Sequence, residues 1–144
     1  MGVDQDYKQA MTWFRKAADA GNAEGMKNIG VMYEHGFGVD QDMELAMTWY
    51  MRSAQKGDAD AMNDIGGMYA TGAGVPRDDW KALDWFQKSA DLGNSYGMVY
   101  LGMSYDEGRA VAKDKQKARD WYTRAANLGN ADAKKWLAEH PEDH

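Results

Sequence analysis

The chain contains no cysteine. Disulfides and thiolate metal sites are thereby excluded, and cysteine usage does not tell a reducing from an oxidising compartment. No stretch approaches the run of about 20 apolar residues that crosses a bilayer, so membrane insertion is not expected. The opening residues Met1-Gly2-Val3-Asp4-Gln5 have neither a basic n-region nor an apolar core, so no signal peptide is expected in this chain. Positive charge is in the minority: 17 Lys and Arg stand against 23 Asp and Glu, a formal charge of -6. That balance argues against nucleic acid or an anionic membrane surface as a partner. No segment shows the apolar-polar alternation of a β-strand over a useful length.

What the chain does have is a period. Trp13, Trp49, Trp85 and Trp121 stand 36 positions apart, and Phe14, Tyr50, Phe86 and Tyr122 fill the next column. Gly21, Gly57, Gly93 and Gly129 share another column. Gly2, Gly38 and Gly74 share one with Ala110, followed by Val3, Val39, Val75 and Val111. A fixed period of this size marks a repeat array, in which each unit buries its apolar face by stacking on the next. The expected layout is one domain over 1–144, with repeats at about 2–37, 38–73, 74–109 and 110–144. The length of 144 is four times 36, which leaves an engineered or trimmed array open.

Each period holds two helical patterns. In the first, Asp6 to Ala20, the recurring Ala10, Trp13, Phe14, Ala17 and Ala18 line one helical face. Asp6, Asp42, Asp78 and Asp114 are placed to cap these helices, and Gly21 and its equivalents to stop them. The second pattern starts after the caps Asn22, Asp58, Asn94 and Asn130 and runs over Ala23 to Tyr33, Ala59 to Tyr69, Ser95 to Tyr105 and Ala131 to about His140, where Pro141 ends it. The result is an all-α superhelix of eight helices in four antiparallel pairs. Gly30, Gly66 and Gly102 recur inside a helix, where glycine costs about 1 kcal/mol against alanine. Close approach of a partner helix is the expected compensation; Ala138 takes this column in the last copy.

Ala59, Ile65-Gly66, Tyr69, Gly72-Ala73-Gly74-Val75, Asp78, Lys81-Ala82, Trp85-Phe86, Lys88-Ser89-Ala90 and Gly93 follow one another in an order that resembles the Sel-1-like repeats, relatives of the tetratricopeptide repeats. The resemblance covers nearly the whole chain; a tetratricopeptide array would more usually repeat at about 34 residues. In that register the chain opens on a second helix and closes on a first helix. Lys134 replaces the apolar column Met26, Met62, Met98, as a polar end cap would. Tyr7 and Met11 are available for exposure at the other end. The resemblance implies a non-catalytic scaffold whose shorter helices line a concave groove.

Trp13, Trp49, Trp85 and Trp121, with Tyr33, Tyr69 and Tyr105, are expected in the core, the indoles as wedges between helices. The changeable positions of the shorter helices form stripes facing away from it. One half of the resulting groove is polar, with Asn28, Asp60, Asn63 and Asp64. The other half carries Tyr96, Val99, Tyr100, Met103 and Trp136. Clustered aromatics in a concavity are what hot spots for a protein or peptide partner look like, although packing of Tyr100 on Trp136 as an edge of the core would explain them equally. The polar half suits a peptide main chain and basic residues. The glycine-rich loops follow no strand, which argues against a phosphate cradle. His35, His140 and His144 show no metal-ligand spacing. No cofactor or catalytic residue can be assigned. Trp80 stands alone on a longer helix. Alternatives that stay open are an engineered scaffold without a natural partner, a module that stacks end to end through its N-terminal end, and acid/base chemistry by Asp60 and Asp64.

Overall fold

The computed structural model describes residues 2–141. His144, weighed above, lies outside the described residues. Among those described there are eight helices and no strand: α1 (Val3–Asp19), α2 (Ala23–His35), α3 (Met43–Gln55), α4 (Ala59–Thr71), α5 (Asp79–Asp91), α6 (Ser95–Glu107), α7 (Lys115–Asn127) and α8 (Ala131–Glu139). Each helix packs on the next, and α4 also touches α6. The chain is thus a solenoid in which the even-numbered helices form one layer and the odd-numbered ones the other.

The caps set the helix starts. Asn22, Asp58, Asn94 and Asn130 each accept a backbone N–H of the first turn through their side chains, as do Asp42, Asp78 and Asp114. The Asp42 N–H also donates to the carbonyl of Tyr33 at 2.9 Å, and Asp78 and Asp114 repeat this bond to Tyr69 and Tyr105. The loop before each odd-numbered helix is therefore tied to the helix that precedes it. Asp6 departs from this expectation. It lies inside α1, which begins at Val3 with no side-chain cap. Gly21, Gly57, Gly93 and Gly129 take left-handed φ of 85 to 93° and turn the chain into the even-numbered helices. Ala110, in the column of Gly38 and Gly74, is held at φ 62°, a conformation that opposes its Cβ.

The in-helix glycines are explained by rings. A Cβ built on Gly30 would lie 2.6 Å from the Tyr50 ring, one on Gly66 2.5 Å from Phe86, and one on Gly102 2.9 Å from Tyr122. The expected close approach is there, and the Phe/Tyr column makes it. Tyr50 is fully buried, and Phe86 and Tyr122 nearly so.

The tryptophans differ from the expected wedge. Trp49, Trp85 and Trp121 are half-buried, each packed on a core cluster, while Arg52, Lys88 and Arg124 lie over the indoles at 4.3 to 4.5 Å. Trp13 is 68% exposed and is no core residue. Trp49 leans on the cluster built by α1 and α2, whereas Trp13 packs on none of the three clusters. Met11, expected at the exposed end, is instead buried against Met26, Ile29 and Met32. Tyr33, Tyr69 and Tyr105 pack half-buried along the cluster edges.

Candidate functional site

The changeable residues of α2, α4 and α6 meet in one cavity of about 280 Å³. Lys27, Asn28 and Val31 line it from α2, Asp60, Asn63 and Asp64 from α4, and Tyr96 and Tyr100 from α6. These positions recur at 36-residue spacing, so the stacking that builds the core also brings them side by side. A second, more enclosed cavity of about 170 Å³ lies between α4, α5 and α6, walled by Gly67, Phe86, Tyr100 and Met103 among others. Tyr100 lines both. Its ring stacks on Phe86 at 4.6 Å, which fixes it between the polar and the apolar space.

The polar cavity is organised by a chain of amides. Asn94 Oδ1 accepts from the Tyr96 and Gly97 backbone N–H groups and from Asn63 Nδ2 at 3.0 Å. Asn94 Nδ2 donates to Asp60 Oδ1 at 3.0 Å. The Lys27 ammonium stands 3.8 Å from the other Asp60 oxygen. Burial, followed by the negative charge of Glu34, raises the Asp64 carboxyl to about 7. Lys27 opposes that rise; Asp60 and Asp58 add to it. Glu34 itself accepts the Tyr50 hydroxyl at 3.0 Å. Burial and then Asp64 push the Tyr100 hydroxyl upward as well.

Most of the expected groove residues meet here, with three corrections. Val99 is 7% exposed and belongs to the core, because α7 and α8 cover that flank of α6. Asn63 is only 9% exposed, and its amide is turned to Asn94, so it borders the cavity without projecting into it. Trp136 lines neither cavity. It stacks on Tyr122 and His140, both at 4.2 Å, and its indole N–H donates to Asp106. Tyr100 therefore packs on Phe86 and Trp136 on Tyr122: the same contact one repeat apart, with no edge cluster between the two. Tyr96, Tyr100 and Met103 remain exposed.

Lys27, Glu34 and Asn94 were not among the expected site residues. Glu34 had a signal. Tyr50 and Tyr122, which carry hydroxyls, accompany acids at Glu34 and Asp106, whereas Phe86 accompanies Ala70 in that column. Trp80 is 66% exposed and borders a separate open cleft of about 680 Å³ with Tyr105, Ala110, Val111 and Lys117. That cleft shares no residue with the other two. Among the described residues, no group of three or more His, Asp or Glu is placed to hold a metal, and no helix is long and apolar enough to cross a membrane.

Four segments, residues 1–22, 23–58, 59–94 and 95–130, match the model of the Sel1 repeat. A Sel1 repeat protein from Oxalobacter formigenes is similar at 36% identity and a TM-score of 0.86 over 92% of this chain. A protective antigen of uropathogenic Escherichia coli with the same fold gives 39% identity and 0.83 over 90%. The chain spans 54% of the first and 28% of the second. The cysteine-rich protein B of Helicobacter pylori, at 21% identity, shares the fold, with a TM-score of 0.73 over 94% of this chain and 98% of its own. None of the curated proteins matches closely enough to count as a relative.

Proposed function

Since this chain belongs to the Sel1 repeat family, whose members generally mediate protein–protein contacts and are typically non-catalytic, we propose that it is an adaptor holding a peptide or protein segment along the even-numbered helices. One observation carries this reading: Tyr96, Tyr100 and Met103 stay exposed beside two adjoining cavities that the stacking itself creates. A ring that core packing alone required would be buried, as Tyr50 and Tyr122 are. Exposed, pre-positioned aromatics bury much area on binding and lose little entropy. The binding residues in this reading are Tyr96, Tyr100 and Met103, supported by Asn28, Asp60, Asn63 and Asp64; Trp136 and Val99 are not among them.

The test is co-purification of partners from cell extract by the chain and by a Tyr100→Ala, Met103→Ala variant. A fold-competent variant should lose the partners, while Trp80→Ala should keep them. Retention by the double variant moves the site off this groove. Self-assembly through α1 is a second reading, favoured by the exposed Trp13. Light scattering across concentration should then show mass growth that Trp13→Ala abolishes.

A further inference from the structure

Granted that a segment lies in the groove as proposed above, we infer that the cavity between α2, α4 and α6 takes a lysine or arginine side chain of that segment. The reason is a surplus of acceptors. Asn94 Oδ1 is identified by the two backbone N–H groups it accepts, so the group Asn63 turns toward it must be the amide nitrogen. That leaves the Asn63 oxygen buried with no partner. A buried unpaired acceptor is uncommon and destabilising, and because Asn63 lines the cavity a small shift of its side chain would bring that oxygen to a ligand's donor.

The charges point the same way. Asp60 and Asp64 line the cavity, Glu34 and Asp58 act on it from its flanks, and Lys27 is the one cation in its wall. Lys27 pairs with Asp60 at 3.8 Å. It stands where a ligand cation would compete for Asp60. The volume of about 280 Å³ equals roughly nine waters at ~30 Å³ each, enough for a guanidinium or ammonium with its methylenes. Tyr96 and Tyr100 also line the cavity, and aromatic rings attract cations. An acidic ligand would meet like charge, and an apolar one would leave the Asn63 oxygen unpaired. The adjoining apolar cavity beyond Tyr100 then suits a neighbouring apolar residue of the same segment.

Nα-acetyl-arginine amide, its neutral isostere Nα-acetyl-citrulline amide and Nα-acetyl-leucine amide, titrated separately into the intact chain and followed by amide NMR, test this. The arginine probe should move the Asn63 side-chain amide and the backbone of Asp60 to Asp64, binding about tenfold more tightly than citrulline and less tightly as salt rises. Asp60→Asn and Asp64→Asn should each weaken it about threefold or more, and Lys27→Met should strengthen it. Asp60 is 58% exposed at its side chain, so its variant folds even if the Asp64 variant does not. Equal binding of arginine and citrulline, or binding indifferent to the aspartates, overturns the basic pocket. If only the leucine probe moves Tyr100 and Met103, the pocket falls and the groove reading stands. If no probe moves a residue of either cavity, both fall.

Discussion

Gly66 and Gly67 are neighbours on α4 and make opposite predictions. For either, replacement by alanine in a helix gains about 1 kcal/mol of intrinsic propensity. At Gly67 nothing lies within 4 Å of the added Cβ, so Gly67→Ala should realise that gain. At Gly66 the Cβ would stand 2.5, 2.7 and 3.0 Å from three atoms of the Phe86 ring. The ring cannot yield easily, because it is 6% exposed and stacked on Tyr100. Overpacking of this kind costs about 1–3 kcal/mol, and a stiff aromatic places it near the upper end. The net for Gly66→Ala is then a loss of about 2 kcal/mol. The two variants should differ by about 3 kcal/mol, or roughly 6–12 °C in Tm for a domain of this size. Urea unfolding followed by circular dichroism measures both. Adding Phe86→Leu should recover much of the Gly66→Ala loss, since the clash is pairwise. A Gly66→Ala chain as stable as the parent, or a loss unaltered by Phe86→Leu, would show that the ring does not set the spacing.

Trp49→Ala should lower stability by about 2–3 kcal/mol, less than a fully buried indole would, while Trp13→Ala should be near neutral; paired melts check this. Ser53 and Ser89 are both fully buried, but Ser53 Oγ donates to the Ala23 carbonyl at 2.7 Å and Ser89 Oγ has no partner. Ser53→Ala should therefore cost about 1 kcal/mol and Ser89→Ala should be neutral or stabilising by about as much, both read from denaturant midpoints. Asp64, raised to about 7 by burial and Glu34 from an ordinary value near 4, binds more protons folded than unfolded between those pH values. Its contribution to stability is full below pH 4 and is lost as pH rises through 7, so unfolding between pH 5 and 8 should show a loss on the order of 2 kcal/mol that Asp64→Asn removes. A flat profile in the parent, or an unchanged slope in the variant, would refute the assignment.

The helix pairs, caps and glycine columns were legible because each recurs and each has a local cause. A capping oxygen or a left-handed glycine needs only its own neighbours. The depth of two adjacent aromatics was less legible. Trp49 and Tyr50 are successive residues on one helix, about 100° apart, and both fall within a broad apolar face. Only the partner helix decides that the ring over Gly30 is the deeper one. The same limit explains Val99 and Asn63. Their spacing places them on the changeable stripe, but how far the next helix overlaps that stripe is a tertiary fact. Asp6 shows a similar limit: the Asp42, Asp78 and Asp114 caps are each tied to a tyrosine carbonyl of another helix, a bond that the Asp column alone does not announce. The cluster of polar groove residues was legible because 36-residue spacing forces aligned columns together, and Lys27 was passed over because a lone lysine on a stripe looks like solvated surface.

Asparagine and aspartate cap helices about equally well, so a column that accepts both need not favour either. They differ in that only asparagine has a second, donating arm. Asn94 extends its arm to Asp60, and Asn130 extends its arm to Ser95 Oγ at 3.2 Å, each reaching the preceding even-numbered helix. Asp58, with no donor, makes no such reach. The bond from Asn94 does more than fasten two repeats. The Asn94 amide nitrogen takes up one Asp60 oxygen, and the Asn94 carbonyl accepts the Asn63 nitrogen, which leaves the oxygen of that buried amide without a partner. A residue required for local helix initiation thereby sets the hydrogen-bonding character of a site built by three helices. Groove chemistry and repeat stacking share atoms here, because the cap that starts α6 also bonds Asp60 and Asn63 of α4.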